Sequence, residues 1–240
     1  MEPKGTGVVN ALHQLFVWFN DPANWHGVNG VPQRVIQHLS LWAWSMGIAA
    51  AIAIPGGLLL GRSRRSGIVT INVANIGRAI PSFAVLVVGV IWFGLGDTPV
   101  VIALVLLAVP PMFTFTFTGV RQVDRATVES ARGMGMTEGR ILRTVQLPLA
   151  LPLILNGVRL SSAAVLATVP LAALVGSGGL GRYVIDGFAI RDYAEVGAGV
   201  TVVVALVVIN ELLFAALARA VVRGPRRPSR LMRRDALAHS

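Results

Sequence analysis

The chain has 240 residues, of which 54% are hydrophobic and only 13% are charged. Soluble domains carry about 25% charged residues, so this composition excludes an ordinary soluble domain and indicates a membrane protein. The net charge of +10 is divided into short clusters beside apolar runs, without interleaved aromatic residues, which argues against a nucleic-acid partner. The chain has no cysteine, which excludes disulfides and thiol chemistry, and its four histidines lack metal-ligand spacing.

Residues 1–37 precede the first long apolar run and are predicted to form an N-terminal segment outside the membrane. Four apolar side chains of this segment share one helical face: Leu12, Leu15, Phe16 and Phe19. Two arrangements of this amphipathic helix stay open. It lies in the membrane interface with Trp18 and Trp25 at headgroup depth, or it packs on the rest of the protein.

The apolar runs that follow predict an all-α polytopic membrane protein with about five transmembrane helices, since each crossing needs about 20 apolar residues. The predicted spans are residues 39–61, 68–95, 99–120, 149–175 and 194–222. The second joins a weaker approach helix, 68–79, to the apolar run 82–95, with a bend at Pro81. The third is expected to be interrupted at Pro110 and Pro111.

The arginines predict how the chain is oriented. They cluster after the first span, between the third and fourth spans, and after the last span. Because Lys and Arg accumulate on the cytoplasmic side, we expect the N-terminus outside and the C-terminus in the cytoplasm. Residues 38–222 then form the transmembrane domain and 223–240 a basic cytoplasmic tail. This tail either attracts anionic membrane lipid or only fixes the topology.

Several residues inside the spans indicate a pathway. Each proline removes a backbone hydrogen bond that lipid cannot replace, although a simple kink is the alternative. Arg159 lies roughly 16 Å along the helix from Pro148, and a charge at that depth usually faces the bundle interior or a cavity. For Glu211 we favour packing with the side chain extended toward the interface. The pathway and gate candidates are Pro81, Ser82, Arg159, Pro170, Gly176, Gly178, Gly179 and Gly181.

The loop 121–148 between the third and fourth spans is polar and predicted to form a compact knob. A short helix begins near Asp124 and ends at Gly133 and Gly135. Thr137 is a plausible N-cap of a second helix, and Pro148 lies near the start of the next span, where a missing N–H costs little. Such a loop on the cytoplasmic side is expected to receive a partner.

This loop also resembles the EAA loop in the membrane subunits of ABC importers. Glu129, Ala131 and Gly135 match its first part, and Val145, Leu147 and Pro148 match its end, with Ser130 for Ala and Val145 for Ile as the departures. The resemblance implies the type I importer permease fold, in which this loop is the coupling helix that fits a groove of an ATPase subunit. The implied coupling residues are Glu129, Ser130, Ala131, Met134, Gly135, Met136, Leu147 and Pro148.

Segments 78–82, 118–121, 132–137, 147–152 and 178–181 look specifically like osmoprotectant permeases, which move glycine betaine, carnitine, choline or proline. The permease of a methionine-type importer is the nearest alternative. A channel or scaffold without ATP coupling is an alternative of a different class. Trp42, Trp44 and Trp92 are interpreted as anchors at the membrane interface.

The chain is predicted to have no nucleotide site and not to be an enzyme. Residues 56–63 nearly match a phosphate-binding loop, but Arg62 replaces its lysine. The Gly-rich run 176–181 matches the glycine pattern of dinucleotide-binding folds, but it follows no predicted strand, which those folds require. We expect no cofactor or metal on this chain. The resemblance implies ATP-Mg in a cytoplasmic ATPase dimer, a second permease that is identical or homologous, and an extracytoplasmic substrate-binding protein, all at the bacterial inner membrane.

Overall fold

A computed structural model describes residues 4–62 and 82–221, and the regular secondary structure within these ranges is entirely helical. The described α-helices are α1 (Lys4–Asn20), α2 (Val31–Gly61), α3 (Ser82–Phe93), α4 (Asp97–Arg121), α5 (Arg125–Gly133), α6 (Glu138–Ile141), α7 (Leu147–Thr168), α8 (Gly181–Ile190) and α9 (Tyr193–Val221). Residues Leu142–Gln146 form a π-helical segment before α7, and Val169–Val175 form a 3-10 segment after it.

Four of the five predicted spans appear as long apolar helices: α2, α4, α7 with its flanking segments, and α9. The remaining one is represented by α3, which has 12 residues. The approach helix 68–79 and Pro81 lie outside the described residues, as does the basic tail 223–240. The first span begins at Val31 rather than at residue 39, because Pro32 suits the first turn of a helix and the polar residues that follow find hydrogen-bond partners.

The prolines do not interrupt the helices as predicted. Helix α4 continues through Pro110 and Pro111, and α7 continues through Pro152. Each proline removes one intrahelical hydrogen bond, but α4 packs against helices on several sides, and these contacts hold it in one piece. Of the prolines in the described spans, Pro170 is the one at which the structure changes, from α-helix to the 3-10 segment.

Helix α4 forms the centre of the bundle, where it packs against α2, α7 and α3. Glycines permit its close contacts with the two longer neighbours. A Cβ atom added at Gly57 of α2 would lie 2.7 Å from Thr116 Cβ, and one added at Gly157 of α7 would lie 2.6 Å from Phe115 Cβ. Small residues at such crossings are typical of helix pairs in membranes. The fully buried core between these helices includes Ala49, Ala53, Ala108, Met112 and Val165.

Helix α9 packs on α7 and α8, and α1 packs on α9. The Trp18 ring of α1 meets the Tyr183 ring of α8 edge to face, with centroids 5.4 Å apart. The N-terminal helix therefore packs on the rest of the protein through Trp18, while Leu12 and Phe16 of the same helix are exposed, and its position in the membrane interface stays a prediction.

Candidate functional site

The loop between α4 and α7 begins with a capped helix. Asp124 accepts hydrogen bonds from the backbone N–H of Ala126 (3.3 Å) and from Thr127 Oγ1 (3.2 Å), which satisfies the free amide at the start of α5. The Ser130 hydroxyl donates to the Ala126 carbonyl (2.7 Å). Hydrogen bonds from its own polar side chains therefore stabilise α5, although most of the helix is exposed.

A glycine turn ends α5. Gly135 has φ of +80°, the left-handed region that favours glycine. Its N–H donates to the Arg132 carbonyl (2.9 Å), and the Met136 N–H donates to the Ala131 carbonyl (3.3 Å), which is the pattern of a Schellman-type helix end. The sharp turn predicted at this position is present, and it reverses the chain toward α6.

The second half of the loop leads directly into the membrane. Thr137 occupies the N-cap position of α6 as predicted, but its side chain makes no capping hydrogen bond. Helix α6 passes into the π-helical segment and then into α7 at Leu147 and Pro148. Pro148 lies in the first turn of α7, as expected. The loop is thus a helix, a turn and a helical extension of α7.

An ion-pair network ties this loop to α2. Glu138 accepts a hydrogen bond from Arg132 Nε (2.8 Å) and another from an Arg62 side-chain nitrogen (3.3 Å). Its hydrogen bond and negative charge raise the pKa of Arg132 above the usual arginine value. Arg62 stands immediately after α2, so one carboxylate connects both halves of the loop to the end of a membrane span. Sequence reasoning missed this link.

The predicted coupling residues divide into an outer and an inner group. Met134 is 72% exposed at the turn, whereas Ala131 is 3% exposed and packs inward. Ala131 therefore supports the loop rather than presenting a surface. Ile141, which was not among the predicted coupling residues, is fully buried beneath the same loop. The other predicted residues are exposed (Glu129, Ser130, Gly135, Pro148) or half-buried (Met136, Leu147).

The Gly-rich segment 176–181 lies at the opposite end of the bundle and is closely packed. Gly176 and Gly179 have φ of +77° and +95°. A Cβ atom on Gly181 would lie 2.7 Å from both the Cα and the carbonyl carbon of Pro170, and one on Gly178 would lie 2.8 Å from Gln37 Cδ. Four of the gate candidates, together with Pro170, therefore form one tight corner. Glycine is sterically required at Gly181, where the obstacle is backbone, whereas a Cβ at Gly178 would displace the end of the Gln37 side chain.

Hydrogen bonds hold this corner against the start of α2. The Gly179 N–H donates to Gln37 Oε1 (2.9 Å), which also accepts from Arg34 (3.0 Å). The Tyr183 hydroxyl donates to the Asn29 carbonyl (2.6 Å), and burial raises the pKa of Tyr183 above its usual value. These contacts join the corner to Asn29, which precedes α2, and to the first two turns of α2.

The corner is also bound to the start of α4. Ser177 Oγ donates to the Asp97 carboxylate, and the Gly96 N–H donates to the Val175 carbonyl (3.0 Å). The segment is thus anchored on two sides, unlike a free surface turn.

The charges inside the spans pair with each other. Arg159 of α7 donates from Nε to Glu211 Oε2 of α9 (2.7 Å), and a second guanidinium nitrogen bonds the same oxygen. Their side chains remain 39% and 35% exposed. The preferred interpretation of Glu211, a carboxylate extended toward the interface, is therefore wrong, because it bonds an arginine across two helices.

A neutral polar chain lies on the same helices. Trp42 Nε1–H donates to Ser162 Oγ (3.1 Å), which donates to Asn210 Oδ1 (2.6 Å). Trp42 thus bonds within the bundle and is not an interface anchor as predicted, whereas Trp44 and Trp92 are largely exposed. Asn210 Nδ2 is buried without a partner among the described residues. Ser82 begins α3, and Pro81 lies outside the described residues.

Comparison with known proteins gives consistent similarities. Residues 53–227 match the family described as "Binding-protein-dependent transport system inner membrane component". The chain is 34% identical over 181 residues to the osmoprotectant import permease protein OsmY of Salmonella typhimurium, covering 75% of this chain and 77% of the relative. It is 33% identical over 223 residues to the carnitine transport permease protein OpuCD of Listeria monocytogenes, covering 92% and 98%. It is 32% identical over 184 residues to the choline transport system permease protein OpuBB of Bacillus subtilis, covering 76% and 85%.

Solved structures with a similar fold include an inward-facing methionine ABC transporter, with a TM-score of 0.72 and 24% identity over 80% of this chain and 96% of that chain. An amino acid ABC transporter with histidines has a TM-score of 0.60 and 19% identity over 92% and 98%. At these identities the likeness concerns the fold alone.

Proposed function

Because this chain belongs to the family of binding-protein-dependent transport system inner membrane components, we propose that it forms half of the translocation pathway of an ATP-driven osmoprotectant importer. It is a multi-pass inner membrane protein with the type I importer permease fold. The observation that carries the proposal is the exposed, capped loop 122–146, which continues directly into α7 and lies within the family match.

The proposed substrates are quaternary amines and related osmoprotectants. Three curated relatives at 32–34% identity are named for osmoprotectant, carnitine or choline transport. Methionine is the alternative substrate. The methionine importer shares the fold at 24% identity, a level that says nothing about the transported solute.

The proposed assembly has an N-terminus outside the cell and the loop in the cytoplasm, following the distribution of arginine. The permease domain comprises residues 38–222, preceded by the segment 1–37 and followed by the basic tail. A dimer of ABC ATPase subunits receives the loop and supplies ATP hydrolysis with magnesium. A second permease, identical or homologous, completes the pathway, and a separate extracytoplasmic protein captures the solute. The permease itself binds no nucleotide.

In this proposal the loop transmits movement to two spans at once. Met134 and its exposed neighbours contact the ATPase, and methionine is adaptable in such contacts. Movement passes to α7 because the loop continues into it at Leu147 and Pro148. It passes to α2 because Glu138 bonds both Arg132 and Arg62. The buried Ala131 and Ile141 keep the loop rigid, so that it moves as a unit.

The proposed pathway is lined near its middle by Arg159 and closed near its outer end by the Gly-rich corner. An ion pair with about a third of its surface exposed is costly against lipid, which favours a position facing the pathway or the second permease. Pro170 and the glycines 176, 178, 179 and 181 form the proposed outer gate. Pro81 and Ser82 stay candidates at the start of α3.

The test is ATPase activity of the purified complex in liposomes, with the substrate-binding protein added. We compare the wild type with Met134→Asp, which places a charge on the most exposed part of the loop. Gln122→Asp is the matched control, since it introduces the same charge at an exposed position of the same loop beside the membrane. We expect glycine betaine, carnitine or choline to stimulate the wild type and the control but not Met134→Asp.

Three other results have defined meanings. Stimulation by methionine, but by none of the quaternary amines, would keep the fold and replace the proposed substrate. Equal stimulation of all three proteins would place the docking surface elsewhere. Failure of any ATPase subunit to co-purify with this chain would contradict ATP coupling and favour a channel or scaffold.

A further inference from the structure

A charged cavity lies where the loop joins the membrane bundle. It is partly open to solvent, has a volume of about 160 Å³, and is bordered by the ends of α2 and α4, by α5, and by residues near α6 and α7. The charged side chains in its lining are Arg62, Arg121, Arg125, Arg132, Glu129 and Glu138. Four guanidinium groups therefore share the cavity with two carboxylates.

The positive charge of this cavity is not balanced within the described residues. Glu138 is engaged by Arg62 and Arg132, whereas neither Arg121 nor Arg125 forms an ion pair in the described part of the chain. Arg121 is nevertheless held in place, because its guanidinium lies 5.5 Å from the centre of the Phe117 ring.

The position of Arg125 adds to the uncompensated positive charge of the cavity. Arg125 is the first residue of α5, where the helix dipole disfavours a cation and favours an anion. The Asp124 carboxylate already caps this helix end by accepting from the Ala126 N–H, so the positive charge available to an anion comes from the arginine cluster.

The depth of the cavity indicates the source of an anion. Gly61 and Val120, which line it, are at the ends of two membrane spans. The cavity consequently lies at the level of the lipid headgroups on the face of the membrane that carries the loop. Basic pockets between transmembrane helices at this level bind anionic headgroups, and arginine matches phosphate geometry with paired N–H donors.

We propose that this cavity binds the phosphate of an anionic phospholipid, with Arg121 and Arg125 as the principal contacts. Arg62 and Arg132 contribute while they remain bonded to Glu138. The lipid would thereby lie against α5, at the junction of the loop with α2 and α4. The proposal uses no residue of the basic tail, and it concerns a ligand other than the transported solute.

The experiment measures binding of a fluorescent short-chain phosphatidylglycerol to the assembled, detergent-purified transporter without ATP or solute. The test variant is the double substitution Arg121→Gln/Arg125→Gln. The control is Arg140→Gln/Arg143→Gln, which removes the same charge from exposed positions of the same loop that do not line the cavity. Unlabelled phosphatidylglycerol, phosphatidylcholine of equal chain length, and inorganic phosphate serve as competitors.

We expect the test variant to bind phosphatidylglycerol at least about tenfold more weakly, since it loses two charged hydrogen-bond donors to the phosphate. The control should stay within about twofold of the wild type, and only unlabelled phosphatidylglycerol should compete. All four substituted arginines are exposed, and none forms an ion pair among the described residues. Co-purification with the ATPase verifies that each variant assembles.

Four results would overturn the proposal. Equal losses in test and control variants would mean that binding follows total charge. Competition by inorganic phosphate at matching concentration would identify a site for free anions, and competition by phosphatidylcholine would show that charge is not recognised. Absence of phosphatidylglycerol binding to the assembled transporter would mean that the cavity is closed by another subunit. Because no solute is present, these outcomes are independent of which substrate the importer carries.

Discussion

Replacing Gly181 with alanine is expected to disrupt the Gly-rich corner through one steric clash. The added Cβ atom would lie 2.7 Å from two backbone atoms of Pro170, closer than real Cβ atoms approach other groups. A flexible side chain could rotate away, but Pro170 is the second residue of the 3-10 segment that connects α7 to the corner. Either that segment or the start of α8 has to shift.

The expected loss of stability in Gly181→Ala depends on how rigid the Pro170 backbone is. Extra atoms in a packed core typically cost about 1–3 kcal/mol, and a backbone obstacle places Gly181→Ala near the upper value. For a chain of this length, each kcal/mol lowers the melting temperature by about 2–4 °C. The expected decrease is therefore about 6–12 °C.

Thermal unfolding followed by tryptophan fluorescence in detergent measures this decrease, with Gly47→Ala as the control. Gly47 lies within α2 and has no neighbouring atom within 4 Å of an added Cβ. Alanine is preferred to glycine in a helix by about 0.5–1 kcal/mol, so the control should melt at the wild-type temperature or slightly higher. If both variants melt together, the close contact between Gly181 and Pro170 is refuted.

Three further predictions concern the loop, the ion pair and the corner. Gly135→Asn should retain more solute-stimulated ATPase activity than Gly135→Ala, because asparagine tolerates a positive φ better; equal activities would argue against a constrained turn. Arg159→Met and Glu211→Met should each reduce assembly more than the double variant, since each single change leaves an unpaired charge. Gel filtration measures the assembled fraction, and a double variant that assembles less well than either single variant would contradict the prediction. Tyr183→Phe should lower the melting temperature by about 2–4 °C because the bond to the Asn29 carbonyl is lost, and an unchanged temperature would contradict that bond.

The features predicted correctly from the sequence are those set by neighbours along the chain. Apolar length locates four spans, and the glycine at position 135 locates the turn because its left-handed φ is a local requirement. The importer resemblance rested on residues of one loop, and the family match over residues 53–227 confirms it. Local proline rules were less successful, because tertiary packing keeps α4 continuous through Pro110 and Pro111.

The features missed depend on side chains that are distant in sequence. Arg62 and Glu138 are 76 positions apart, and Arg159 and Glu211 are 52 apart. Charge alone gave each of these residues several plausible partners, and only the packing of the helices selects one. The same limit explains Trp42, whose indole N–H bonds Ser162, 120 positions away, instead of lying at the interface.

If the loop moves as the proposed function requires, the polar contacts between helices decide which of them move with it. Arg159 lies roughly 18 Å along α7 from Leu147, and Ser162 lies almost one turn beyond it, so both move with the helical extension of the loop. Arg159 bonds α9, whereas Ser162 bonds both α2 and α9. In a low-dielectric interior these bonds are expensive to break without a replacement. Under the proposed function, a displacement of α7 would therefore carry α2 and α9 with it, and the link from Glu138 to Arg62 would move α2 from the loop end as well. The contact of α4 with α7 includes a buried hydrogen bond from Ser161 Oγ to the Ala108 carbonyl (2.8 Å), whereas no side-chain hydrogen bond joins α4 to α2 among the described residues. Under the proposed function, sliding is therefore least costly where α4 meets α2.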